Sequence, residues 1–104
     1  MKITVHVANL DGDYGEFAIK AYCPFQMYGY TFAAHREIDG KTGNPKRYGG
    51  FAVSEISTGF RCTADQTRMG AIQSTKDRLK EMGEAAFLRS IKWAQAQIAE
   101  RGTP

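Results

Sequence analysis

Cysteine is scarce in this chain, and its spacing offers no chemistry. There are two, Cys23 and Cys62, in no CxxC pair. Zinc is held by clustered cysteines and histidines at short, regular spacings. Here the thiols, His6 and His35 are scattered, so no metal and no cofactor is expected. A long apolar run is also missing; a membrane-spanning helix needs roughly 20 such residues. The opening residues, MKITVHVANLDGD, alternate and then turn acidic, with no long apolar core and no small-residue cleavage site. No secretory signal is expected. The expectation is a cytoplasmic chain with two reduced and buried thiols. A large charge surplus is absent as well. The net charge is +3, which permits a nucleic-acid partner without requiring one. It excludes a mimic of DNA, which needs a strongly acidic surface. No internal repeat, low-complexity tract or linker interrupts the chain, and 104 residues fit one domain, 1–104.

What is present is a run of alternating segments followed by two helical ones. In 2–8, Ile3, Val5 and Val7 share one face, and Lys2, Thr4 and His6 share the other. The Asn9 to Gly15 stretch is turn chemistry. Residues 16–23 then resume as a strand, and the pair reads as an antiparallel hairpin. Pro24 is expected to end that strand, because proline has no ladder donor. Tyr28, Tyr30 and Phe32 alternate, so 28–37 reads as the next strand. Two further short strands, 51–56 and 60–64, flank a Ser57-Thr58-Gly59 turn.

Helical spacing begins after that hairpin. Asp65 or Thr67 can cap the first helix. Met69, Ile72, Thr75, Leu79 and Met82 form its apolar stripe, and Gly83 ends it. The second helix runs over 84–101 with Phe87, Leu88, Ile91, Ala94 and Ile98 as its stripe. Trp93 falls about 120° away from the centre of that stripe, beside Arg89. The expected fold is therefore α+β: an antiparallel sheet of four to five strands, followed by two C-terminal helices packed on one face.

Catalytic and nucleotide motifs fail on spacing. Gly40-Lys41-Thr42 lacks the earlier glycine of a phosphate loop; the position holds His35. Asp11-Gly12-Asp13 is followed by Gly15 and Glu16, which breaks the calcium-loop pattern. A cysteine–histidine pair has no local support. The reading is a non-enzyme with no catalytic residues. Two features suit contact instead. The loop 39–50 holds four glycines, one proline, and the cations Lys41, Lys46 and Arg47 beside Tyr48. Trp93 and Arg89 belong to residue types enriched at interface hot spots. Lys41, Lys46, Arg47, Tyr48, Arg89 and Trp93 are thus the candidate partner-binding residues.

The stretch 51–79, with its glycine-led strand GGFAVSEI, the Ser57-Thr58-Gly59 turn, a short strand, and a helix opening with Thr67, Arg68, Ala71 and Ile72, resembles small accessory proteins of phages and prophages. Some of these are anti-CRISPR proteins. That resemblance implies a non-enzymatic inhibitor whose partner is a bacterial protein complex, such as a CRISPR effector subunit. The topology is also similar to that of the HicB-type antitoxin domain, although the basic loop 39–50 interrupts the expected spacing. That likeness implies a small basic nucleic-acid-binding or regulatory module. Lys20, Arg36 and Arg61 on the strands, and the aromatic residues between Tyr14 and Phe32, would serve it.

Overall fold

The computed structural model describes residues 2–8, 14–39, 42, 44–46 and 49–101. Among them the alternating segments form three hairpins and the 3.6-residue spacing forms two helices. The strands are β1 (Lys2–Ala8), β2 (Tyr14–Lys20), β3 (Tyr22–Met27), β4 (Tyr30–Arg36), β5 (Phe51–Glu55) and β6 (Arg61–Asp65), followed by α1 (Arg68–Met82) and α2 (Glu84–Arg101). The α+β reading holds. β3-β4-β5-β6 make a four-stranded antiparallel sheet, and β1-β2 make a separate two-stranded one.

Pro24 does not end a strand; it lies inside β3. β3 is an outer strand of its sheet, and its register to β4 shifts between Tyr22 and Phe25. Cys23, at that shift, has φ of 52°. An edge position with a local bulge is where a missing N–H is tolerated. The expected strand 28–37 starts later, at Tyr30. Tyr28 and Gly29, with φ of 55° and 81°, form a two-residue turn between Met27 and Tyr30. Positive φ at both central residues is the hairpin turn whose twist matches its strands.

The pleat sends alternate residues of β4 to opposite faces. Phe32 and Ala34 face the helices, where they join Val53, Ala71, Ile72, Leu79, Phe87 and Ile91 in one core. Ala33 faces the other way and packs with Ile3, Val5 and Ala21 under the β1-β2 ribbon. The four-stranded sheet is therefore sandwiched between the ribbon and the helices. Ile3 pairs with Ile19 and Val5 with Phe17, so the ribbon's apolar face is that of the predicted alternation.

α1 starts at its Thr67 cap, whose side chain accepts the Gly70 N–H at 2.9 Å. Its buried residues are Ala71, Ile72, Thr75 and Leu79. Met69 is 67 % exposed and Met82 is 38 % exposed, so both leave the expected stripe. The helix turns its small Ala71 to the sheet because the fit there is close. The hydroxyls of Thr63 on β6 and Thr75 on α1 lie 2.6 Å apart, both within reach of the Ala71 carbonyl. Gly50 is a second close approach. A Cβ there would stand 2.2 Å from the Asp65 carbonyl oxygen, so no other residue fits without moving backbone.

α2 shows its expected stripe, with Phe87, Ile91 and Ala94 buried. Phe87 reaches three aromatics of the β3–β4 hairpin: ring centroids lie 5.5 Å from Tyr30, 5.7 Å from Phe32 and 5.8 Å from Tyr28 in the turn. Among the described residues no helix is long and apolar enough to cross a membrane.

Candidate functional site

One groove of about 640 Å³ opens between the C-terminal half of α1, the buried flank of α2 and the β5–β6 turn. Its geometry follows from the two helix stripes. Both helices use one side to reach the sheet, and a trough is left between them beside the β5–β6 turn. Leu79, Phe87, Ile91 and Ala94 line its depth, and Phe60, Met82 and Trp93 stand at its sides. Ala86 and Ser90, small residues on the same side of α2 as Arg89 and Trp93, keep it open.

The floor carries a buried carboxylate. Glu55, at the end of β5, is only 2 % exposed. It is fully engaged by the turn that follows it. One oxygen accepts the Ser57 N–H at 2.9 Å and its hydroxyl at 2.5 Å. The other accepts the Thr58 N–H at 2.8 Å and its hydroxyl at 2.6 Å. Four donors on one carboxylate offset its desolvation and fix the turn. Glu55 is therefore a hub for the groove floor and not a free acid.

Cys62 lines the same groove. Burial, and after it the Glu55 carboxylate, push its thiol up to about 11. A thiol held protonated at neutral pH is a poor nucleophile. Cys23, expected to be buried, is exposed at the β3 bulge, where the chain turns its side chain outward; both thiols are free. Among the described residues no group of three or more His, Cys, Asp or Glu side chains converges to hold a metal.

Arg78 and Arg89 are exposed at the groove's borders, and neither makes an ion pair among the described residues. Arg61 also borders it, but its guanidinium is paired with Glu37 at 3.5 Å. Trp93 is 61 % exposed, with its ring edge-on to Phe60 at 6.3 Å. The structure thus brings Arg89 and Trp93 together on one wall. Lys46 is exposed and does not line the groove; its N–H donates to the Glu37 carbonyl at 2.8 Å. Lys41, Arg47 and Tyr48 lie outside the described residues. The described ends of the 39–50 loop are tied down, by Asp39 N–H to the Asn44 carbonyl and by a bridge between Ile38 and Pro45. Arg78, Phe60 and Glu55 were not singled out from the sequence, and Met82 was expected only as part of the α1 stripe; Arg78, one turn before Met82, reads equally well as solvated surface.

Among the described residues His35 and Ser54 form a pair that looks catalytic, with Nε2 2.8 Å from the serine Oγ. It sits between the sheet and the ribbon, and Ser54 is 0 % exposed, so no substrate reaches it. His35 Nδ1 lies 2.8 Å from the Arg36 carbonyl, which can only accept. Nδ1 therefore carries the proton and Nε2 accepts the Ser54 hydroxyl. Burial holds the imidazole below its ordinary value; Arg61 acts the same way, while the Arg36 carbonyl and Glu37 oppose. The sign of the linkage is fixed by this. Below pH about 6.5 the unfolded chain takes up a proton that the folded chain refuses, so stability falls as pH drops, until the folded value is passed. Over that window His35 is expected to contribute a slope of up to about 1.4 kcal/mol per pH unit. Urea unfolding at pH 7.5 and pH 5.5 checks this, compared with His35→Gln. Equal pH dependence in the two proteins would show that His35 is not held neutral.

No family model matches the chain, and no curated protein or solved structure is significantly similar to it.

Proposed function

We propose that this chain is a non-enzymatic inhibitor of the anti-CRISPR kind, which binds a protein component of a bacterial defence complex through the α1–α2 groove. The observation that carries the docking site is Trp93. A tryptophan that is 61 % exposed beside an apolar groove bordered by Arg78 and Arg89, which form no ion pair among the described residues, is an arrangement suited to a hot spot. The groove's chemistry selects its occupant: an apolar or aromatic side chain for the trough, with acidic residues on either side for Arg78 and Arg89. The inhibitory role is supported by the likeness of 51–79 to small phage proteins. A mildly basic protein fits an acidic or apolar patch of such a complex better than its positive nucleic-acid channel.

The test is interference in bacteria carrying a CRISPR system, with the chain expressed. The wild-type chain is expected to restore plasmid or phage survival and to retain an effector subunit after nuclease treatment. Trp93→Ala is expected to weaken that retention by about 30-fold or more, the scale of a hot-spot residue. Arg89→Ala is expected to slow association and to lose its effect at high salt. Survival unchanged across hosts carrying each CRISPR type would sink the inhibitor reading.

A further inference from the structure

A second surface lies on the flank of α1 that faces β3, away from the groove. Arg68 and Lys76, two turns apart on α1, lie over aromatic rings of the sheet. The Arg68 guanidinium is 5.0 Å from the Tyr22 ring and 5.9 Å from the Phe51 ring, and the Lys76 ammonium is 5.1 Å from Phe25. Arg36 reaches the same Phe51 ring at 5.8 Å, and Lys20 reaches Tyr22 at 5.6 Å. Four cations thus share three half-buried rings along a strip about 12 Å long, given the helical rise between Arg68 and Lys76. The Asp65 carboxylate, on β6 beside Phe51, accepts the Thr67 N–H at 3.2 Å.

We propose that this strip binds single-stranded nucleic acid. Cations held against rings are spaced along the strip, with less side-chain freedom left to lose on binding. A guanidinium lying on an aromatic face offers its outer plane for a base to stack on, and its N–H groups for the phosphates on either side. An acidic peptide would use the charges but neither the rings nor the guanidinium planes. A single line of cations and rings between a helix and an edge strand follows one backbone better than two.

The test is fluorescence anisotropy of a labelled twelve-residue oligothymidylate with the isolated chain, at 50 and 200 mM salt. Contacts to three or four phosphates predict a salt slope of about −2 to −3, a loss of about 20- to 50-fold between those two concentrations. Arg68→Ala, Arg36→Ala and Lys76→Ala are each expected to reduce the slope by about 0.7. Tyr22→Leu, which removes a ring and no charge, is expected to weaken binding about fivefold or more. Lys92→Ala on the exposed face of α2 removes one charge elsewhere and is expected to leave binding unchanged. Circular dichroism checks that the variants fold. No binding at 50 mM salt overturns the proposal. So does an equal effect of Lys92→Ala, or polyglutamate or duplex DNA binding as tightly as the single strand. The assay contains no protein partner, so its outcome is independent of the groove.

Discussion

Phe87→Ala is expected to destabilise the chain by about 3–5 kcal/mol, out of a total that for a domain of this size is about 5–15 kcal/mol. Phe87 is 4 % exposed and is the principal side chain through which α2 grips the sheet. Its ring is edge-on to Tyr30 at 74°, and tilted against Phe32 and Tyr28 at 49° and 40°. Phe32 in turn stacks on Phe25 at 5.3 Å. Removing the ring leaves a cavity bounded by aromatics anchored on the β3–β4 hairpin, and the Tyr28 hydroxyl is tied to the Leu79 carbonyl at 3.1 Å. Such walls collapse little, so the cavity cost is close to full. Phe87→Leu, which keeps most of the volume, is expected to cost about 1.5 kcal/mol. Urea denaturation measures both. Native-state hydrogen exchange locates the effect: amides of α2 should exchange faster than those of β4 and β5, because α2 has little other hold on the sheet. Uniform acceleration across all elements would mean that Phe87 supports the whole core and not the docking of α2.

The order of these elements was legible because their periods differ. The alternation of Ile3 and Val5 and the 3.6-residue spacing of Phe87, Ile91 and Ala94 survive folding unchanged. What misled was a residue whose local rule depends on its neighbours. Pro24 forbids a ladder bond only where one is needed, and an edge bulge does not need it. Met69 and Ala71 illustrate the same limit on a helix. Hydrophobicity ranks methionine above alanine, yet the close approach at Thr63 and Thr75 admits only the smaller side chain to the sheet. The candidate site divides along similar lines. Trp93 and Arg89 stood out as an off-stripe pair. The groove that gives them a shape lies between two helices beside a turn, and no single segment encodes that. The strip of cations over rings draws its members from five elements, with Lys20 and Arg68 meeting over one tyrosine.

The second large effect is expected at Glu55. Glu55→Ala should cost about 4 kcal/mol, because it strands two donors that water does not reach. Thr58 is 1 % exposed, and both its N–H and its hydroxyl end on the carboxylate. A buried donor left unpaired costs about 1–3 kcal/mol. The Ser57 donors are at the surface and can turn to water, so they add little. Glu55→Gln keeps the shape but replaces one acceptor oxygen with an NH2 group facing donors, and is expected to cost about 2 kcal/mol. Thr58→Val then separates the terms. If the hydroxyl is what Glu55 satisfies, Thr58→Val in the Glu55→Ala background should cost less than in the wild type, with a coupling of about 1 kcal/mol or more in the double-mutant cycle. Additive losses would mean that the turn is held by its backbone bonds alone, Gly59 N–H to the Glu55 carbonyl at 2.8 Å and Glu55 N–H to the Phe60 carbonyl at 3.1 Å. The consequence reaches the groove. Phe60 follows this turn and meets Trp93 edge-on, so loosening the turn frees one wall of the groove while leaving Arg89 and Trp93 in place on α2. Glu55→Gln should therefore weaken partner binding through shape, without altering its dependence on salt, whereas Arg89→Ala should alter the salt dependence.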